Sequence, residues 1–502
     1  VRRSSLIVPI ALGVLLACLY GATLTNHLTG DSIQYAYAVL ARTDHLLHPH
    51  HLFYHGLMAL GVAAFGSHGS DVDRDLRVME ALNALLSVAG VLVFYAICRR
   101  LGQGRLRASL FALLFGLSSA YFAYTSQIEV YNITCLCLGL AILGLVPAPG
   151  GRQRLLVAVG YFLAMGFHQM AIFFAPAILA AEWAVGRGRD FWRRAALSLG
   201  APLVAIGACY AIAGLALGFR DPRQLYRWLT LYQHLGFWGQ GSLSVRTLRD
   251  FAAGAGKALL DVTYEPEWML ALMGICLLVY CGMHRDALSR PGPHRRLLVA
   301  LLLWLVPFAV FLTWWHAENV ESWIVACLGS LVMLAALQAG SAVQRRRSRD
   351  AVANGLLAVC LALMVFECVR IQERNLQPNA SRQAALGLRA VVRDGDHVLA
   401  LNAKETAYYE MYTLGRGVRI ESILGLAAEA AERSDPRTFT DVLVDRCAQR
   451  AAASRSSGGR CLLDAAVGRG EIDPIRHMRS FDRARFATLL AERFVVTPVP
   501  DA

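Results

Sequence analysis

A carboxylate held at the edge of an apolar segment can do acid-base chemistry that one in open water does poorly, and this chain carries two such acids. Asp31 lies in Gly30-Asp31-Ser32-Ile33-Gln34-Tyr35, a few residues past the first long apolar stretch. Glu129 stands in the corresponding place two apolar segments later, in Ser126-Gln127-Ile128-Glu129-Val130-Tyr131-Asn132. Ionisable groups at membrane depth are costly and are mostly kept for function. At a lipid-water boundary a carboxylate can take the proton of a hydroxyl nucleophile, with burial raising its pKa and cationic neighbours lowering it. The competing structural roles are a cap at Asp31 for a helix that begins at Ser32, and an acid at Glu129 that favours a helix N-terminus.

Other polar groups fall beside these acids. His45, His48, His50, His51 and His55 crowd one stretch, and imidazole suits transition metals, but their spacing matches no recognised metal site. The alternative is that they bond a phosphate or water at the interface. Asp71, Asp73 and Asp75 form a DxDxD string just before an apolar segment, where solvated acids at a helix start are the expected role. Arg220, Arg223, Arg227, Arg246 and Lys257, with His316, are cations that could stabilise a phosphate leaving group. An ordinary solvated face or lipid contact accounts for any single one of them. Trp228, Tyr232, Phe237 and Trp238 suit a sugar face, a prenyl chain or an aromatic interface belt. His168 falls between two short apolar stretches, where a histidine can satisfy exposed backbone carbonyls.

These residues need a membrane to position them. Hydrophobic residues make up 56% of the 502 and charged residues only 17%, with a mean hydropathy of +0.44, which excludes an ordinary soluble domain. Apolar stretches able to cross about 30 Å of hydrocarbon are expected at residues 6–24, 77–98, 108–122, 130–146, 195–217, 268–283, 297–313, 323–342 and 351–369. The tract 155–185 is too long for one span and fits two short helices meeting near His168, which gives about eleven transmembrane helices in all. Residues 52–66 are too short to cross and are expected to lie along the interface. With this list the Arg-bearing loops at residues 2–3, 99–107, 152–154, 187–194, 285–296 and 345–349 all fall on one side, which the positive-inside rule makes cytoplasmic. The net charge of +13 resides in those loops, because residues 371–502 hold 19 Lys/Arg against 17 Asp/Glu. A nucleic-acid partner is therefore not implied.

Two domains follow: a membrane domain at 1–370, with a first outer loop at 25–75, and an extracytoplasmic α/β domain at 371–502. In the latter, residues 395–400 read as turn then strand and 403–412 as helix. Most of the twelve cysteines sit singly in apolar runs as small core residues. Cys447 and Cys461 could close a disulfide if the tail faces an oxidising compartment. The Arg-rich residues 1–5 and the apolar run after them lack a small-residue cleavage site and read as an uncleaved first span.

The order and sidedness of five segments resembles the GT-C superfamily of integral-membrane glycosyltransferases, in the protein O-mannosyltransferase and aminoarabinose transferase branch. They are DSIQY from Asp31, HPHHLFYH from His48, SQIEVYN from Ser126, GFHQM from Gly166 and WHAENVESW from Trp315. The resemblance implies that the acid of the first outer loop is catalytic, that the donor is a sugar on a polyprenyl phosphate, and that a lipid, glycan or protein acceptor approaches from outside. No cofactor is expected, and no metal, because neither the histidine run nor the DxDxD string has convincing ligand spacing. The resemblance makes Asp31 and Glu129 the catalytic candidates. The substrate-binding candidates are Tyr35, His50, His51, Tyr54, Tyr131, Asn132, His168, Glu318 and Glu321, with Arg220, Arg227 and His316 as the cations for a phosphate. The chain departs from the pattern after Trp323, where the usual proline-containing signature is missing. Trp314-Trp315 is not followed by Asp-Tyr-Gly, which argues against an oligosaccharyltransferase. The expected setting is a bacterial inner membrane, with the site outside the cytoplasm. Two rivals are a transporter or flippase of lipid-linked sugars, disfavoured by the absence of mirrored halves, and a non-catalytic envelope scaffold.

Overall fold

The computed structural model describes residues 6–41, 46–67, 69–146, 151–230, 245–261, 267–290, 292–341, 347–400, 403–422, 439–456, 458–463, 484–485, 488–489 and 492. Among these, five helices are long and apolar enough to cross a membrane: Val72–Arg100, Arg189–Ala216, Pro293–Trp315, Val320–Gly340 and Arg349–Val391. The pair Arg105–Gly116 and Ser119–Thr125 makes a sixth if it crosses as one. Shorter apolar helices occupy Ile7–Ala22, Tyr54–Phe65, Tyr131–Leu145, Gln169–Val185 and Glu267–Met283. The expected count of about eleven is thus not reached by length and composition, and it requires Gly151–Phe167 and the shorter helices other than Tyr54–Phe65 to cross as well.

The chain divides into two compact units. The first comprises Val1–Thr25, Thr43–Phe65 and Leu76–Leu376, and the second Asn26–Arg42, Gly66–Asp75 and Gln377–Ala502. The first outer loop is therefore shared out, with its Asp31 portion clustering with the tail sequence.

Close backbone contact organises the first unit. Glycines on the helix Gly151–Phe167 and its neighbour allow it: a Cβ added at Gly160 would lie 2.7 Å from both Ala141 N and Cys137 O, and one at Gly144 2.7 Å from Gln153 O. Small residues of this kind let apolar helices meet where the hydrophobic effect offers no drive between them. Aromatic side chains fill the wider gaps, with Phe94 stacked on Phe115 at 5.0 Å and Phe174 edge-on to the buried Trp304 at 4.9 Å.

One expected span is corrected here. Residues 108–122 do not form a straight helix but bend by 69° after Gly116. The carbonyls released by the break are satisfied by side-chain hydroxyls: Ser118 Oγ donates to Phe115 O and Tyr20 Oη to Gly116 O, both at 2.8 Å. That is the usual requirement for irregular backbone in an apolar setting. The break expected near His168 is present, between Gly151–Phe167 and the 3-10 turn Gln169–Phe174.

In the second unit the strands β1 (His397–Ala400), β2 (Arg419–Ser422) and β3 (Cys461–Leu463) pair in parallel in the order β2-β1-β3. The helix Ala403–Tyr412 lies where the pattern placed it, and it packs against the helix Gly30–Ala41 that carries Asp31. Asn379 caps Ala380–Val391 by accepting from Arg382 N at 3.1 Å, while its amide reaches Asn26 O at 2.8 Å. The DxDxD string is structural, as expected, but it is not merely solvated. Asp75 is fully buried and accepts from Ser67 N and Gly69 N at 2.5 and 2.7 Å. Asp73 pairs with Arg382 at 2.5 Å and accepts from the Tyr412 hydroxyl.

The disulfide expected in the tail is not formed, since Cys447 and Cys461 are free thiols. Burial pushes their pKa values up to about 12 and about 11, so both pack as neutral, weakly nucleophilic groups.

Candidate functional site

In the first unit the acid and histidine segments meet. Glu129 is fully buried one residue before Val130, the N-terminal flank of the helix Tyr131–Leu145. Its loop is fixed by two amides, Asn132 and Asn83, of which the sequence reading passed over Asn83. Asn83 Nδ2 donates to Tyr124 O and Gln127 O at 2.9 and 2.7 Å, and Asn132 Nδ2 donates to Ser87 Oγ at 2.8 Å and Tyr121 O at 3.2 Å. Asn132 is thus a loop-holding residue before it is a ligand group. The buried Tyr54 lies within electrostatic reach of Glu129, and burial together with that charge holds its phenol protonated. Glu321 approaches from the helix Val320–Gly340, where Asn319 caps by accepting from Glu321 N at 3.1 Å and Tyr124 Oη donates to Glu321 Oε1 at 2.8 Å. Carboxylate oxygens of Glu129 and Glu321 lie within 4.8 Å of one another. Two acids this close can accept hydrogen bonds from one bound group.

Beside this pair the imidazoles gather. His48 stands 5.1 Å from His51 and 5.4 Å from His50 between ring centres, and His51 meets His168 edge-on at 4.9 Å. The His168 ring lies 5.1 Å from Tyr131, which in turn lies 6.3 Å from Tyr124. His50, His51, His55 and His168 are all buried. Burial first, and the neighbouring imidazoles after it, lower the pKa of His50 to about 3 and that of His51 well below its usual value. These rings are therefore neutral at physiological pH, each offering one N–H donor and one acceptor nitrogen. His45 lies outside the described residues.

The turn that carries the cluster is held from two sides. Pro49 O accepts from Gln169 Nε2 and Tyr210 Oη, both at 2.8 Å, and Gln169 N donates to His50 O at 3.3 Å. His168 itself caps the 3-10 turn, its Nδ1 accepting from Met170 N at 3.1 Å. It satisfies an N–H, not the carbonyls expected of it. Gly166 allows the closest approach: its O accepts from Phe53 N at 3.0 Å, and a Cβ there would lie 2.1 Å from the Phe53 ring. Gly166→Ala is expected to lower stability by about 1–3 kcal/mol, as overpacking does, and to dislodge the histidine turn. A thermal melt checks the first effect, and an unchanged melting temperature would mean the ring simply moves aside.

The remaining sequence candidates are Asp31, Tyr35, Arg220, Arg227, His316 and Glu318. Asp31 belongs to the second unit, in the first turn of Gly30–Ala41. It is not the cap. The helix begins at Gly30, and Thr29 Oγ1 accepts from Ser32 N at 3.0 Å in the place foreseen for the acid. The Asp31 carboxyl keeps an exposed edge, yet desolvation by surrounding protein raises its pKa above the usual aspartate value. Proximity to a helix N-terminus acts the other way, so desolvation wins. Tyr35, one turn on, is buried in the same helix. Arg220 and Arg227 are exposed around the short helix Pro222–Leu229, which Asp221 and Gln224 close with a capping box. His316 and Glu318 are exposed in the turn before Val320.

An integral membrane protein of this helical order, with buried carboxylates, phenols and neutral imidazoles gathered at helix ends, is a fold with solved counterparts. The structure is similar to ArnT from Cupriavidus metallidurans bound to undecaprenyl phosphate, with a TM-score of 0.56 and 12% identity, over 84% of this chain and 86% of that one. It is similar also to the apo state of the same ArnT, at a TM-score of 0.54 and 13% identity, over 84% and 90%. Neither a protein-family model nor a curated protein matches the chain. At such identities the likeness is one of fold alone.

Proposed function

We propose that this chain is a membrane glycosyltransferase that moves a sugar from a polyprenyl-phosphate-linked donor to a hydroxyl acceptor. The observation that carries the proposal is the fold shared, over most of both chains, with an ArnT crystallised with undecaprenyl phosphate. The gathering of Glu129, Tyr54, Tyr131 and the neutral histidines in the first unit supports it, because these groups suit the hydroxyls of a sugar and the oxygens of a phosphate.

In the mechanism we favour, the Asp31 carboxylate takes the proton of the acceptor hydroxyl. That oxygen attacks the anomeric carbon on the face opposite the phosphate, the glycosidic C–O bond breaks, and the lipid phosphate leaves with the bonding pair. Configuration inverts. Asp31 suits the task because a raised pKa makes its carboxylate a better base. Glu129 and Glu321 orient sugar hydroxyls as acceptors, and His50, His51 and His168 donate N–H groups without adding charge. Tyr35, Arg220, Arg227, His316 and Glu318 are further donor-binding candidates, the arginines as counter-charges to the leaving phosphate. The active site and the tail after residue 370 face away from the cytoplasm in this proposal, since the Arg-bearing loops at 99–107, 152–154, 187–194, 285–296 and 345–349 then share the cytoplasmic side.

The proposal is tested by incubating the purified chain with a polyprenyl-phosphate-linked sugar and a crude envelope extract. Appearance of free polyprenyl phosphate together with a new glycoconjugate is expected, and its absence across the common lipid-linked sugars would remove the proposal. We expect EDTA to leave turnover unchanged; a loss reversed by a divalent ion would instead make the close carboxylates a cation site. For orientation, Ser456→Cys lies at an exposed helix end. A membrane-impermeant maleimide should label it from outside intact cells, and labelling only after lysis would reverse the topology.

A further inference from the structure

At the Arg-bearing end of the first unit a groove of ≈ 530 Å³ opens between helices. Arg99, Arg100 and Arg105 line it together with Leu92, Ala96 and Leu143, and none of the described residues that line it is acidic. Its construction is local. Arg99 and Arg100 end the 29-residue helix Val72–Arg100, and Arg105 begins the next helix, Arg105–Gly116. The turn between them depends on Gly102 at φ 87, a left-handed conformation that favours glycine. Arg99 is partly spent on the turn, donating to Gln103 O at 2.6 Å. The start of Arg105–Gly116 has no side-chain cap, so its backbone N–H groups add to the positive end.

A groove with three guanidiniums at one end and aliphatic walls behind them is complementary to one kind of molecule: an amphiphile with a phosphate head and acyl chains. Its volume lies within the usual range for a small-molecule site. Guanidinium matches phosphate in shape and charge, and basic pockets between membrane helices take such head groups. We infer that this groove is a binding site for an anionic phospholipid of the bilayer, its phosphate on Arg100 and Arg105 and its acyl chains against Leu92 and Leu143. The site is separate from the proposed glycosyl-transfer centre and does not depend on that proposal.

The test uses the full chain in detergent, titrated with phosphatidylglycerol or phosphatidylcholine and read by native mass spectrometry. Phosphatidylglycerol is expected to bind at least about tenfold more tightly. The double variant Arg100→Gln/Arg105→Gln should erase that preference. Arg189→Gln/Arg193→Gln, which removes two exposed charges outside the groove, should retain it. Arg105→Gln alone, at an exposed position, serves if the double variant fails to fold, and should weaken phosphatidylglycerol selectively. Equal binding of the two lipids, or equal loss in the two double variants, would overturn the inference. Displacement of the lipid by millimolar inorganic phosphate would also overturn it, by making free phosphate and not lipid the occupant.

Discussion

Asp31→Asn is expected to reduce sugar transfer by about 10²–10⁴-fold, the usual contribution of a positioned base, while leaving donor binding and folding close to wild type. Asparagine keeps the shape of aspartate and loses only basicity. Asp31 stands in the first turn of Gly30–Ala41, and the helix start is capped by Thr29, so removing its charge leaves the cap intact. The pH profile gives a second readout. A raised carboxyl pKa means that the base form is lost on acidification sooner than for an ordinary aspartate, so the acid limb of the wild-type profile should lie above the usual aspartate range. In the asparagine variant that limb should vanish with the activity. Turnover near wild type in the purified variant would rule Asp31 out as the base.

Glu129→Gln should lower turnover by roughly ten- to a hundredfold, the weight of about 1.5–3 kcal/mol for a hydrogen bond to a charged group. The melting temperature should hardly move. Glutamine is close in size, and the loop around position 129 is held by Asn83 and Asn132, not by the acid itself. The variant also relieves the crowding of two carboxylates within 4.8 Å, which tends to offset any packing loss. A collapse in melting temperature with full activity in the surviving folded fraction would mark Glu129 as structural.

Much of this was legible before any coordinates. The break in the tract 155–185 announced itself as an apolar run too long for one span, and the strand and helix at 395–412 as a change of period after a Gly-Asp turn. The bend after Gly116 was not legible, since the sequence there stays apolar, and what permits the bend is a hydroxyl from Tyr20, far away in sequence. The free state of Cys447 and Cys461 was likewise beyond pattern reading, because burial in the fold and not spacing decides how a cysteine packs.

The same division holds for the site. Composition by itself determined a helical membrane protein, and the placement of Asp31, Glu129 and the histidine run singled out polar groups at helix ends, because hydrophobic length and the cost of a buried charge are local properties of the chain. Only the tertiary structure decided that His48, His50, His51 and His168 share one cluster, that Glu321 comes beside Glu129, and that the Asp31 helix packs with the tail helix Ala403–Tyr412. Those are pairings between residues tens to hundreds of positions apart, selected by backbone approach at Gly166 and by buried amides such as Asn83 and Gln169, and no local pattern encodes them.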